Sequence, residues 1–229
     1  MDLIDSEELS DGDALPATSA FAEGFGASRT VIRESLSALS ALCIVEVSND
    51  RNVTVRPLNP YAVSFFLSRA IGDRHSESFS ALMDLRAPLE VQSAGRAAEQ
   101  LAAQNAVTQA QGSSTNPPPL SFVLTGLLAR MNTFLQDSVV YPKLDLDLHL
   151  EIAWLSGNRA LHGLLEAVSV PLFRAMRDVR AARDQRGFVG AEHEEHLKII
   201  DSILAGDPAA AASLMERHMS SVEVFAFSR

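Results

Sequence analysis

The chain has a single cysteine, Cys43, among 229 residues. No internal disulfide is therefore available, and the reducing cytoplasm is the expected compartment. There is no apolar run of 18 residues or more, and the first residues, MDLIDSEELS, are acidic rather than basic and then apolar. Neither a membrane-spanning helix nor a secretory signal is expected. Basic side chains are also scarce, with 19 Lys and Arg against 29 Asp and Glu, a formal net charge of −10. That surplus argues against a nucleic-acid partner if the chain is taken whole, so where the charge lies matters more than its sum. Residues 1–14 carry Asp2, Asp5, Glu7, Glu8, Asp11 and Asp13 and no base. Residues 24–58 carry Arg29, Arg33, Arg51 and Arg56 against Glu34, Glu46 and Asp50, four bases to three acids and a net +1. What is present in quantity is apolar surface: 47% hydrophobic residues and a mean hydropathy of +0.07 suit a packed protein of one small and one larger domain.

Ala22–Leu36, AEGFGASRTVIRESL, reads as a helix, a Gly-containing turn and a second helix opening Ser-Arg-Thr. A helix that enters the DNA major groove needs a small polar N-terminal end and an apolar back that packs on its own domain. Ser28 is placed to cap the helix, Arg29 and Thr30 occupy its first turn, and Arg33 follows Arg29 at i+4 on the same face. Val31, Ile32, Ser35, Leu36 and Leu39 fill the other faces, and Gly26 permits the tight backbone of the turn. Each arginine can read a guanine through a bidentate contact, worth about 1–3 kcal/mol of base discrimination. Beyond Leu42 the pattern alternates: Cys43–Val47 and Val53–Arg56 flank an Asn/Asp-rich tip, the signature of a hairpin. A hairpin behind a recognition helix is a wing, and Cys43 is expected in its apolar strand as a buried packing residue. The competing reading is a small α/β domain whose arginines are only solvated surface. With a local charge of only +1, one copy should bind DNA weakly, so a homodimer on an inverted repeat is expected.

Residues 59–77 read as a connector containing a short helix, and residues 78–229 as an all-α antiparallel bundle of five or six helices. The helices are expected at Phe79–Asn105, with Pro88 kinking it or marking a late start, and at Leu120–Gln136, Pro142–Ser156, Arg159–Arg183, Glu192–Ala205 and Pro208–Phe227. GSSTNPPP, Gly112–Pro119, is a loop. Lys143–Glu151 alternates strictly and by period alone argues for a strand. A helix is preferred, because Leu144, Leu148 and Leu155 form one stripe and Leu146, Leu150 and Ala153 another, as in a buried bundle helix.

In that helix Asp145 and His149 lie about 40° apart, and burying them calls for a cationic partner. His196 and His218, on the last two helices, each have apolar neighbours one turn away and can face inward. One carboxylate and three imidazoles suit a divalent metal, Zn²⁺ first, with Ni²⁺ or Mn²⁺ also compatible, leaving positions open for water or an anion. His193, one turn before His196, is an alternative ligand, and His75 and His162 are not candidates. Arg86 has two readings, a contact to a small acid bound beside the metal or an i+4 pair with Glu90. Asn158 either reaches the pocket or caps the following helix.

LPATSAFAEGFGASRTVIRESLSAL followed by IVEVSNDRNVTVRP resembles the DNA-binding domain of GntR-type bacterial transcription regulators. The resemblance implies DNA contacts at Ser28, Arg29, Thr30 and Arg33. It departs from the family at the short acidic segment before Leu15-Pro16 and at Asn49, Asp50 and Asn52, where the wing tip usually has glycines. LRAPLE (Leu85–Glu90), DLDLHLEIAWLSGN (Asp145–Asn158), EHLKIIDSILAGDPAAA (Glu195–Ala211) and MERHM (Met215–Met219) resemble the effector domain of the FadR subgroup. In its metal-binding branch the positions matching Asp145, His149, His196 and His218 are the ligands. The resemblance implies a regulator, not an enzyme: a winged helix-turn-helix over residues 1–58 that binds double-stranded operator DNA, and a helical domain that takes a metal and a small organic acid effector. Two rivals remain at this level, a metal-dependent hydrolase or lyase using the same four side chains with Glu151 or Glu192 as base, and a regulator that senses the metal alone.

Overall fold

The computed structural model describes residues 9–10, 12–48, 52–56, 60–71, 75–110, 119–185 and 189–227. They divide into two compact units, with the boundary between Phe65 and Phe66.

In the first unit, helix α1 (Thr18–Gly24) and helix α2 (Arg29–Ala41) are joined by a turn through Gly26, whose φ of +61° is one that L side chains rarely adopt. The turn closes α1 with paired backbone bonds, Gly26 N–H to Glu23 at 3.3 Å and Ala27 N–H to Ala22 at 3.0 Å. This is the double closure that a left-handed residue after a helix makes possible. Strands β1 (Val45–Val47) and β2 (Val53–Val55) pair antiparallel with Val45 opposite Val55, and Ala14 adds a bridge to Thr54. Ile32 and Leu36 of α2 bury against Val45 and Val53, with Phe21 and Leu39 partly buried around them. Alternation in β2 (Val53 and Val55 in, Thr54 half-out) gives the hairpin its packed face.

Two expectations need correcting here. Cys43 is not in a strand: it sits after α2 with φ +59° and is only half-buried. Its N–H bonds to Ser40 at 3.0 Å and that of Ile44 to Leu39 at 3.0 Å, the same closure that Gly26 gives α1, but made by a residue with a side chain. Val31 and Ser35 are exposed, so the packed side of α2 is narrower than the sequence pattern suggests. The wing tip, residues 49–51, lies outside the described residues.

In the second unit the regular structure among the described residues is all helical, with turns at 134–139, 156–158 and 205–207. Helix α3 (Tyr61–Ile71) contains the boundary and is followed by α4 (His75–Ala110), α5 (Pro119–Thr133), α6 (Val140–Leu155), α7 (Arg159–Gln185), α8 (Val189–Leu204) and α9 (Pro208–Phe227). The expected loop at 112–119 falls almost wholly outside the described residues. Helix α4 runs for 36 residues straight through Pro88, longer at both ends than the sequence pattern implies. Pro88 lines an open groove on the outer side of α4, so the proline removes one backbone donor without ending the helix. Helix α4 is the spine of the bundle, packing against α6, α7, α8 and α9. Lys143–Glu151 is helical, in α6, and both leucine stripes touch protein: Leu144 and Leu148 are buried, Leu146 and Leu150 partly so. Burial on several sides is what overrides the strand-like period.

Candidate metal centre and DNA-reading helix

The four candidate ligands come from three helices that share one interior. On α6, Asp145 and His149 are one turn apart and both buried; His196 on α8 and His218 on α9 are buried as well. One nitrogen from each of the three imidazoles can be chosen so that all lie within 4.8 Å of one another. The carboxylate closes the group: Asp145 Oδ1 is 3.1 Å from His196 Nε2 and 3.8 Å from His149 Nε2. The rings pack face to edge or face to face, with centroids 5.4 Å apart for His149 and His196, 5.3 Å for His149 and His218, and 4.5 Å for His196 and His218. Metal–nitrogen bonds of about 2.0–2.1 Å place donor atoms about 3–4 Å from one another, so a cation at the centre asks the triad to contract by about 1–2 Å. The donor set therefore fits a divalent ion.

Two carboxylates hold the rings from behind. His218 Nδ1–H donates to Glu195 Oε2 at 2.8 Å, and Glu195 also accepts from Ser221 Oγ at 3.0 Å. His149 Nδ1 is 2.9 Å from Glu90 Oε2, out of line for a formed hydrogen bond but well inside ion-pair range. Both arrangements leave Nε2 free to face the centre, the usual role of a carboxylate behind a metal-binding imidazole. Neither Glu90 nor Glu195 was assigned that role from sequence. Glu90 carries a weak signal in its i+4 spacing from Arg86; Glu195 has none, because its partner is 23 residues away on another helix.

The charges are arranged to hold one proton or one cation. Burial lowers the proton affinity of both His196 and His218. For His196 the hydrogen bond and charge of Asp145, with Glu192 and Glu195, outweigh burial and raise its pKa above the ordinary value. For His218 burial and the neighbouring His196 prevail and push it down to about 4. Burial alone would raise Glu90, but the charges of His149 and Arg86 beside it, with the hydrogen bond from Arg86, hold it at about 2. The carboxylate that favours a proton on His196 equally favours a cation in its place, while the surroundings of His218 favour its neutral form.

Arg86 makes the i+4 pair with Glu90. Its Nε donates to Glu90 Oε1 at 2.7 Å, both residues being buried, while its Nη2 is buried without a hydrogen-bond partner. Asn158 caps α7, its Oδ1 accepting from Ala160 and Leu161 N–H at 3.0 and 3.2 Å. His193 stands apart from the triad with Nδ1 3.5 Å from the Tyr141 hydroxyl, and His162 packs edge-on to Trp154 with centroids 5.4 Å apart. The side chain of His75 lies outside the described residues.

At the other end of the chain, Ser28 Oγ accepts from Val31 N–H at 3.3 Å and caps α2 as its sequence implies. Arg29, Thr30 and Arg33 are exposed on the first turns of that helix. Ile32 and Leu36, on the other side, anchor it to the hairpin. The arrangement presents two exposed guanidinium groups from the first turns of a helix.

Comparison with known proteins bears on both halves. Residues 1–55 match the family described as bacterial regulatory proteins, gntR family, and residues 121–221 match the FCD domain. The HTH-type transcriptional regulator LutR of Bacillus subtilis is 30% identical over 223 residues, covering 96% of this chain and 94% of that protein. The HTH-type transcriptional repressor NanR of Citrobacter rodentium is 25% identical over 225 residues, covering 96% of this chain and 79% of that protein. Among solved structures, Streptococcus agalactiae GntR superposes with a TM-score of 0.70 at 23% identity, covering 96% of this chain and 94% of the other.

Proposed function

We propose, from the premise that the chain belongs to the GntR family of bacterial transcription regulators and carries an FCD effector-binding domain, that its bundle takes a divalent metal and a small organic acid that tunes operator binding. It is a DNA-binding regulator and not an enzyme, in line with relatives named as transcriptional regulators.

The observation that carries the proposal is the convergence of Asp145, His149, His196 and His218 beside a buried guanidinium with an open Nη2. When bound, a divalent cation, with zinc the first candidate and nickel or manganese compatible with the same donors, supplies a seat for an anionic oxygen. Asp145 and the three imidazoles hold that seat, and Glu90 and Glu195 keep two of the rings turned with Nε2 inward. Arg86, anchored through Nε, offers a second charged donor to the acid. Ligand seated there bridges α4, α6, α8 and α9, whose packing it can shift.

For the DNA half, Ser28, Arg29, Thr30 and Arg33 are the residues we assign to operator contact. The arginines serve base edges, and Ser28 and Thr30 the phosphates and the helix start. Because this unit has little net positive charge, two copies reading two half-sites account better for specific binding than one, so the working form is a homodimer in the cytoplasm. Among the described residues no helix is long and apolar enough to cross a membrane.

The test is a thermal-shift and operator-binding series on metal-loaded protein with a panel of small acids, Asp145→Ala alongside. Acid stabilising the wild type but not the variant, together with a changed operator affinity, is the expected result. Linkage requires acid and DNA to alter each other's affinity by one factor, so an operator affinity unmoved at saturating acid removes the effector role. If metal alone shifts operator affinity and no acid adds to it, the protein senses the metal.

A further inference from the structure

The exposed face of α2 has two flanks, and the arginines occupy only one of them. At about 100° per residue, the buried Ile32 and Leu36 point towards the hairpin, and the direction opposite them belongs to the exposed Thr30 and Glu34. Arg29 and Arg33 lie to one side of that outward line. Val31 and Ala38 lie to the other, within about 20° of each other, with Ser35 between them and the buried side. All three are exposed, Val31 at 50%. Leu42 continues the same line at the far end of the helix, about 16 Å along the axis from Val31.

A solitary exposed valine is ordinary on a protein surface. Val31 is set apart by where it stands and by what surrounds it. It belongs to the first turn of α2, the end of a recognition helix that enters the groove. Its neighbours on the flank have little to offer a polar partner: Ala38 has only a methyl group, and the Ser35 hydroxyl already donates to the Val31 carbonyl at 2.9 Å. The backbone of Val31 is held at both ends, its N–H by the Ser28 hydroxyl at 3.3 Å and its carbonyl by Ser35. The isopropyl group is therefore presented on a turn already in shape, and docking it orders little that is free beforehand.

Resting on the DNA-reading role assigned to this helix above, we infer that Val31 is a specificity-determining residue that reads the C5-methyl group of a thymine in each half-site, on the flank of the helix away from the arginines. The phosphate backbone offers an isopropyl group no partner. On the major-groove edges of the bases the groups that distinguish one pair from another are hydrogen-bond donors and acceptors, with one apolar exception, the thymine methyl. The two flanks of α2 then read different chemistry: guanidinium groups on one side take guanine O6 and N7, and the apolar side takes the methyl that marks an A·T pair and its direction.

The experiment starts from the duplex that the full-length wild-type protein enriches from a randomised pool, in which each thymine is then replaced in turn by deoxyuridine, removing the methyl group and nothing else. At one thymine per half-site the replacement should weaken wild-type binding about fourfold, the worth of one methyl group taken out of water. Val31→Ala, at an unchanged melting temperature, should bind the thymine and deoxyuridine duplexes alike at that position and keep its sensitivity to guanine replacement. A wild-type protein indifferent to every thymine methyl, or a Val31→Ala protein that keeps the fourfold loss, overturns the inference and leaves the arginine contacts in place. A Val31→Ala protein that falls from dimer to monomer assigns the flank to a protein contact and overturns it as well. Enrichment of no duplex at all overturns both the inference and the DNA-reading role of the helix.

Discussion

Replacing Glu90 by glutamine tests the site through its least exposed member. Glu90 is fully buried, accepts from Arg86 Nε at 2.7 Å and lies 2.9 Å from His149 Nδ1. Its carboxyl is held at about 2 against an ordinary value of 4.5, and at 1.36 kcal/mol per unit this corresponds to about 3 kcal/mol favouring the folded state when ionised. The range for breaking a buried ion pair by removing one partner, about 3–5 kcal/mol, is consistent with that figure. Because the folded pKa lies below the unfolded one, the stabilisation is fully present above pH 4.5 and is lost as pH falls towards 2. Glu90→Gln, uncharged at every pH, should therefore be less stable to urea by about 3 kcal/mol at pH 7, with the gap from wild type narrowing below pH 4.5. The single tryptophan, Trp154 on α6, makes its fluorescence a reporter of the bundle alone. A second effect follows from hydrogen-bond chemistry. The introduced side-chain amide can turn an N–H towards His149 Nδ1, which makes Nδ1 an acceptor and puts the ring proton on Nε2, where a cation would bind. Metal affinity should fall about 10- to 100-fold. A metal-free variant within about 1 kcal/mol of wild type at pH 7, or a gap that does not change with pH, would refute the account of the Arg86–Glu90–His149 chain.

Cys43→Gly should stabilise the winged unit by about 1 kcal/mol, since φ +59° costs a residue with a side chain what glycine avoids; hydrogen exchange of α2 amides reads it, and unchanged protection counts against the assignment. Arg29→Ala and Arg33→Ala should each cost about 1–3 kcal/mol on the operator and much less on unrelated DNA at matched salt; equal losses on both would make these arginines phosphate contacts only. Metal binding near pH 6 should release about one proton per ion, because His196 holds one beside Asp145 that the cation must displace. That release should fade as pH rises through the raised His196 value, and calorimetry in buffers of different ionisation enthalpy detects it. No proton release at pH 6 would show that the cation binds elsewhere.

The sequence is most legible where the structure is local in the chain. Ser28, Arg29 and Arg33 lie within six residues, and the cap, the turn at Gly26 and the exposed arginine face all follow from short-range rules that tertiary packing reinforces. The same short-range rules fail at Cys43. An apolar run beginning Cys-Ile-Val looks like strand, but the closing bonds of α2 to Ser40 and Leu39 claim the first two of those residues, and no residue-type signal marks a left-handed position occupied by cysteine. Helix α4 shows the opposite limit. Pro88 ordinarily marks a boundary, yet the helix continues through it because α4 packs on four other helices, a gain spread over 36 residues that one missing backbone bond does not offset.

The four inward donors are legible as residue types on helices, while the groups that govern their chemistry are not. Asp145 and His149 are one turn apart, and that spacing survives in any helix, so their shared face can be read without coordinates. Which ring nitrogen of His218 faces the centre depends on Glu195, and which one of His149 does so depends on Glu90; both relations cross between helices and have no period. The unsatisfied hydroxyl of Ser93 is further out of reach, since it is defined by bonds it does not make. Sequence periodicity reports which face of an element is inward, but only packing reports whether an inward polar atom has a partner. Arg86 Nη2 and Ser93 Oγ are among the buried atoms left over after that accounting.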